Sequence, residues 1–307
     1  MDKEIAETDN DLRSAGEGGS LSPYLFVLVA VLIWSTGGVF IKITTIDAFS
    51  VNFGRSLFAT FTVGIYLAFR KALRINLFSI LAGIFYASTL TSFVYANKNT
   101  TAANAIFLQY TAPVYILAVA PFLLREKFRF FDLITVVSCL VGMSLFFMDS
   151  GTTGGTSSSS GIVAGLISGF SLGMYFILLR HPKAYSSDPA LSVLIGNVII
   201  VLAMLPFLAA KPPVPTLNDY LAISYLGIVQ IGIAYILFTR GVANGVRSLD
   251  ASIIGFVEPL LNPVWVVLIV GEVPSVWTIT GGAVIIAAVL FHTLLQSRIK
   301  SRPARPQ

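Results

Sequence analysis

The sequence predicts an all-α membrane protein of ten transmembrane helices, built as two inverted five-helix repeats with both termini cytoplasmic. Three observations carry that prediction. The 307 residues are 55% hydrophobic and only 11% charged, with mean hydropathy +0.83, whereas a soluble domain carries about 25% charged residues. Ten apolar stretches, most of roughly membrane-spanning length, follow one another through short connections. A Gly/Ser segment, Gly151–Gly161, divides them five and five.

Taken in order, residues 1–22 are polar and read as a disordered cytoplasmic tail. The first apolar run starts too late, and is too long, for a cleaved signal peptide. The first repeat, residues 23–150, holds spans at about 23–43, 48–69, 76–96, 102–124 and 131–148. The sequence GTTGGTSSSSG then supplies a flexible linker, residues 151–160. The second repeat, 161–296, holds spans at about 161–180, 189–209, 217–239, 248–270 and 275–296, followed by a basic tail, 297–307. The short connections make consecutive helices antiparallel neighbours.

Basic residues set the orientation. With the N-terminus inside, the inner loops hold Arg70, Lys71, Arg74, Arg125, Lys127, Arg129, Arg180, Lys183, Arg240 and Arg247. The outer ends hold only Lys42, Lys98 and Lys211. That is the positive-inside pattern, repeated loop after loop. The net charge of +5 thus concerns topology and anionic lipid, with no nucleic-acid partner expected.

The two halves resemble each other. YTAPVYILAVAPFLLREK (Tyr110–Lys127) aligns without gaps on FVEPLLNPVWVVLIVGEV (Phe256–Val273). Pro113 meets Pro259, Glu126 meets Glu272, and upstream Asn104 meets Asp250. WSTGGVFIK (Trp34–Lys42) can be laid on LGMYFILLR (Leu172–Arg180). Because five spans is an odd number, the halves enter the membrane in opposite senses. Inverted repeats of this kind build transporters, with the site between them near the midplane.

Glu258 is the one carboxylate deep in an apolar stretch. A charge at that depth costs on the order of 2.5–3.5 kcal/mol, so it is expected to face protein or a water-filled pathway. Ala251, Gly255, Glu258 and Asn262 share one helical stripe. The equivalent stripe in the fourth span is Ala105, Gln109 and Ala112, and the eighth offers Gly227, Gln230 and Ala234. These amides either bind substrate or join helices at ~0.6 kcal/mol apiece. Trp34, Tyr86, Tyr110 and Tyr175 are aromatic candidates for the pathway, against a background in which aromatics also fill bundle cores. The candidate pathway is therefore Trp34, Ser35, Tyr86, Gln109, Tyr110, Tyr175, Gln230, Glu258 and Asn262. Pro113, Pro259, Gly37, Gly38 and Gly173 are the candidate hinges. Arg55 reads better as structural, paired with Asp47 or capping freed carbonyls, than as a substrate ligand. Gly161, Gly165, Gly169 and Gly173 recur every fourth residue and predict a packing face for another helix.

Several chemistries are not supported. The lone Cys139 and two histidines give no thiolate cluster or zinc site. GFSLG (Gly169–Gly173) has the form of a nucleophile elbow but sits mid-helix without a nearby base. No metalloprotease HExxH motif or Walker phosphate loop occurs, so no metal, cofactor or ATP-driven step is expected, and an intramembrane enzyme is the weaker reading.

IWSTGGVFIK near the start, Arg55 early in the second span, and two Pro–x12–Glu blocks ending at Glu126 and Glu272 resemble the drug/metabolite transporter superfamily. The similarity, through EamA-type five-helix repeats, extends from Pro23 to Gln296 and is greatest to the YddG-type amino-acid exporters. It implies a ten-helix inverted-repeat bundle in the bacterial inner membrane. The cavity would lie among spans 1, 3, 4, 6, 8 and 9, with spans 5 and 10 peripheral. It also implies alternating-access export of amino acids, aromatic and other neutral ones, with amphipathic drugs or a nucleotide-sugar-like metabolite as the alternative cargo. Besides substrate and lipid no partner is implied; a monomer is a sufficient unit.

Overall fold

The computed structural model describes residues 22–71, 74–99, 102–126, 129–148, 158–184, 186–210, 214–270 and 276–300. Most of the N-terminal tail and linker, the end of the basic tail, Lys127, Glu272 and the side chain of Asn262 lie outside the described residues.

The described chain is helical, without strands. The first half contains α1 (Pro23–Trp34), α2 (Gly37–Lys42), α3 (Ala48–Arg70), α4 (Leu77–Asn99), α5 (Ala102–Gln109), α6 (Ala112–Leu123) and α7 (Phe130–Met148). The second contains α8 (Ser159–Arg180), α9 (Leu191–Ala210), α10 (Leu217–Tyr225), a π-helical segment (Leu226–Ile233), α11 (Ala234–Ala243), α12 (Ser248–Gly255), α13 (Val257–Val270) and α14 (Val276–Lys300). Local chemistry sets the starts. Pro23 opens α1, where a missing N–H costs nothing. Asp47 accepts from the Phe49 and Ser50 amides to cap α3. Thr216 and Asp219 form a reciprocal capping box on α10.

Among the described residues, five stretches are long and apolar enough to cross a membrane: Leu77–Ala96, Ala105–Leu123, Ser159–Arg180, Leu191–Ala210 and Leu217–Ala243. The outward faces are apolar too, with Phe69 87%, Phe122 85% and Leu268 69% exposed. Water would penalise so much apolar surface; lipid does not.

The packing repeats under exchange of halves. α4 lies along α8 as α1 lies along α11; α5 and α6 pack on α8 as α12 and α13 pack on α1. α3 against α9 and α7 against α14 map onto themselves. The glycine stripe of α8 packs against the end of α4 through Gly161 and against the α5–α6 arm through the rest: a Cβ at Gly169 would sit 2.5 Å from Leu108 O. The packing face predicted for these glycines is therefore present, and it joins the two halves.

Candidate substrate site

Three helices break at the centre of the bundle, and a fourth is underwound there into a π-helical segment. α1 passes to α2 at Ser35 and Thr36, whose hydroxyls donate to Leu32 O and Ile33 O, each at 2.7 Å. The Trp265 indole N–H of α13 donates to Ser35 Oγ at 3.0 Å, tying the break to the other half. α5 passes to α6 at Tyr110 and Thr111, just before Pro113; α12 passes to α13 at Phe256, just before Pro259. The aligned residues Tyr110 and Phe256 meet, ring centroids 5.2 Å apart. The π-helical segment carries Gln230; such segments recur where a helix must present a side chain off register.

Pro259 has no N–H for the carbonyl four residues earlier, Gly255 O. The Tyr110 hydroxyl reaches across from the first half and lies 3.1 Å from that oxygen. The same hydroxyl donates to Glu258 Oε2 at 2.7 Å. Phe256, the counterpart of Tyr110, has no hydroxyl to return the contact, and Ala112 stands where the first half would carry a carboxylate. The site is polar on one side of a twofold-like arrangement.

These breaks surround a cavity of about 160 Å3, on a scale where a water needs at least about 10–15 Å3. Its apolar wall is Leu90, Phe93, Ile106, Leu172, Phe176 and Ile231. Its polar atoms come from Trp34, Arg55, Gln109, Tyr110, Gln230, Tyr235, Ser252 and Glu258, of which Arg55 and Glu258 can carry charge. A mostly apolar cavity with a few convergent polar groups is the usual form of a small-molecule site. Gln109 donates to Ser168 Oγ at 3.0 Å, which in turn donates to Thr89 O at 3.0 Å, fixing three helices around one wall. Gly37 lies against Gln230: a Cβ there would sit 2.8 Å from Gln230 Nε2, the end of a side chain.

The structure brings Trp34, Gly37, Gln109, Tyr110, Gln230 and Glu258 together at the cavity. Tyr86 and Tyr175 do not reach it. They are 1% and 0% exposed and form, with Tyr235, a cluster of edge-to-face and tilted rings beneath it. Ser35 is buried at its helix break and acts there through Trp265. Pro113 and Pro259 stand at the two aligned breaks, Gly38 lies in α2, and a Cβ at Gly173 would lie 3.1 Å from Ala112 O. Two expectations are corrected. Arg55 does not pair with Asp47, which caps α3; it donates to Asn52 Oδ1 from Nε at 3.0 Å and Nη2 at 2.8 Å. Its presence in the cavity wall also adds the second span to the set expected to line it.

Beneath the aromatic layer, the end of the bundle that carries Arg180, Arg240 and Arg247 is closed by buried charge. Arg247 donates to Asp132 Oδ2 at 2.8 Å and lies 3.5 Å from Asp250 Oδ1. His292 Nε2 is 3.0 Å from Asp250 Oδ1, and the Tyr24 hydroxyl donates to Asp250 Oδ2 at 2.9 Å. Arg180 pairs with Glu126 at 3.7 Å. Burial pushes the Glu126 carboxyl above its ordinary pKa, although Arg180 and Arg247 pull the other way. Burial works against the Arg247 charge, yet Asp132, Asp250 and Glu126 hold its pKa above the ordinary value. Ile41, at the end of α2 and 38% exposed, also lines the cavity. Sequence reasoning did not assemble this network. Its signal was Arg247 three residues before Asp250, with Asp132 and His292 set in otherwise apolar helices.

Two repeats around a central cavity, in a helical chain with several membrane-length apolar stretches, define a multi-pass membrane transporter. The chain belongs to the EamA-like transporter family, which it matches twice, over residues 21–148 and 159–294. It is 26% identical over 267 residues to an uncharacterised transporter of Archaeoglobus fulgidus, covering 86% of this chain and 93% of that one. It is 29% identical to the uncharacterised transporter YdfC of Bacillus subtilis, a match spanning 64% of each chain. The human solute carrier family 35 member G1 is 22% identical, over 86% of this chain and 76% of its own. A crystal structure superposes with a TM-score of 0.77 at 20% identity, covering 91% of this chain and 99% of that one, and so shares the fold.

Proposed function

We propose that this protein is an alternating-access exporter of amino acids, chiefly neutral ones with aliphatic or aromatic side chains, in the bacterial inner membrane. In this reading all ten apolar stretches cross the bilayer, both termini are cytoplasmic, and the basic end is the inner one. The observation that carries it is the cavity itself. It sits where broken helices of both halves meet, and its mostly apolar wall holds one guanidinium and one carboxylate. That combination suits a small amphoteric molecule with an apolar side chain. In this reading the substrate is released on the side away from the basic end. The helix breaks at Tyr110 and Phe256 are the positions about which the halves would rock.

The test is a competition panel on protein reconstituted into liposomes. Uptake of labelled L-phenylalanine is measured against excess neutral amino acids, charged amino acids, nucleotide sugars and amphipathic cations. Competition by neutral amino acids supports the reading; competition confined to nucleotide sugars or amphipathic cations contradicts it.

A further inference from the structure

Arg55 is 7% exposed, lines the cavity, and has its Nε and Nη2 engaged by one neutral acceptor, Asn52 Oδ1. Among the described residues no carboxylate lies within 4.0 Å of it. Asn52 orients the guanidinium but cannot neutralise it, so a positive charge is buried at the cavity with no carboxylate in contact with it among the described residues. A guanidinium whose only function was to join helices would be paired, because an uncompensated buried charge is strongly destabilising. Two further cavity residues have buried polar atoms without a partner among the described residues: the Trp34 indole N–H, a donor, and Gln230 Oε1, an acceptor. Buried polar groups are nearly always satisfied, and those left over in a ligand cavity point to the ligand.

We propose that Arg55 is the carboxylate anchor of the site. Its remaining Nη1 edge, with the Trp34 indole N–H, takes the substrate's α-carboxylate; Glu258 and the Gln230 carbonyl oxygen take the ammonium. The donors and acceptors of the cavity thus sort by the two ends of an α-amino acid, and Asn52 is the positioning residue that holds the guanidinium ready. A planar guanidinium suits a carboxylate better than an ammonium point charge does. This assignment rests on the amino-acid reading above and deepens it.

The test compares L-phenylalanine with L-phenylalaninol, in which the carboxylate is replaced by CH2OH, as competitors of labelled L-phenylalanine counterflow in proteoliposomes. The wild-type protein is expected to prefer the amino acid by on the order of 10- to 100-fold, the scale of a charge-assisted hydrogen bond. In Arg55→Gln that ratio should fall towards one. In Arg55→Lys, which keeps a charge but loses the fork, it should fall part of the way. An unchanged ratio in either variant, or a wild-type protein indifferent to the carboxylate, overturns the proposal. If Arg55→Gln does not survive purification, the Arg55→Lys ratio and the wild-type preference decide by the same criteria. Wild-type counterflow of amino acids without Arg55-dependent discrimination sinks this assignment alone; absence of any amino-acid counterflow sinks the parent reading.

Discussion

The Tyr110 hydroxyl of the first repeat lies 2.7 Å from Glu258 Oε2 and 3.1 Å from Gly255 O of the second. A phenol has one proton to donate. An ionised Glu258 claims it; a protonated Glu258 can donate to the phenol oxygen, which frees the phenol proton for Gly255 O. The contact therefore rearranges with the charge on Glu258 and does so across the boundary between repeats, beside the break that Pro259 imposes. If Glu258 drives proton exchange, Glu258→Gln abolishes accumulation driven by a pH gradient, while downhill exchange persists at a higher substrate KM because the amide replaces the carboxylate that meets the ammonium. Tyr110→Phe should slow transport by about 10- to 100-fold, and the double variant should be no slower than Glu258→Gln. Initial uptake rates with and without a pH gradient check this; additive losses would mean the two side chains act separately.

The two tight glycine contacts have different consequences. A methyl at Gly169 meets a backbone oxygen, Leu108 O at 2.5 Å, which cannot move without shifting α5. Gly169→Ala should cost about 1–3 kcal/mol, seen as a lower melting temperature in detergent. At Gly37 the methyl meets the end of a side chain, Gln230 Nε2 at 2.8 Å. Gly37→Ala should melt near wild type but lose uptake, because Gln230 is displaced at the cavity.

Asp132 is 0% exposed and bonded to Arg247. Removing the cation alone strands a buried carboxylate, so Arg247→Ala should destabilise by about 3–5 kcal/mol. Replacing the pair together, Arg247→Met with Asp132→Leu, should restore much of the stability. Thermal unfolding of the three variants checks this, and a double variant as unstable as Arg247→Ala contradicts it.

Glu126 gives a pH signature. Its pKa is raised by burial against the pull of Arg180 and Arg247. Folding therefore favours the protonated carboxyl. The stability it contributes is present below the ordinary carboxylate pKa and is lost as pH rises through the higher folded value. Glu126→Gln keeps a neutral side chain at every pH. Wild type should lose melting temperature relative to this variant between pH 4 and pH 8; a constant difference would refute the assignment.

Much of the architecture was legible because lipid imposes it: long apolar runs, the halfway Gly/Ser segment and two aligned proline breaks leave few alternatives. Glu258 stood out as a lone carboxylate in an apolar run, Gln109 by its place on the stripe equivalent to that of Glu258, and Gln230 only as the amide of the eighth span's stripe. What escaped depends on which helix meets which. Tyr86 and Tyr175 resemble pathway aromatics in sequence, yet packing of α4 on α8 and α9 turns them into the layer beneath. Asp47, two turns before Arg55, is its expected partner in sequence; Asp47 caps α3 instead, and Arg55 bonds Asn52. The network of Asp132, Arg247, Asp250 and His292 joins three separated segments, and only its Arg247–Asp250 arm is local in sequence.

The central claim is that one cavity is presented alternately to the two sides of the membrane. Counterflow tests it most directly: liposomes loaded with unlabelled L-phenylalanine are diluted into trace labelled L-phenylalanine. Loaded liposomes should show a transient accumulation above equilibrium that empty liposomes do not. Label entering loaded and empty liposomes alike would mark a channel-like path and contradict it.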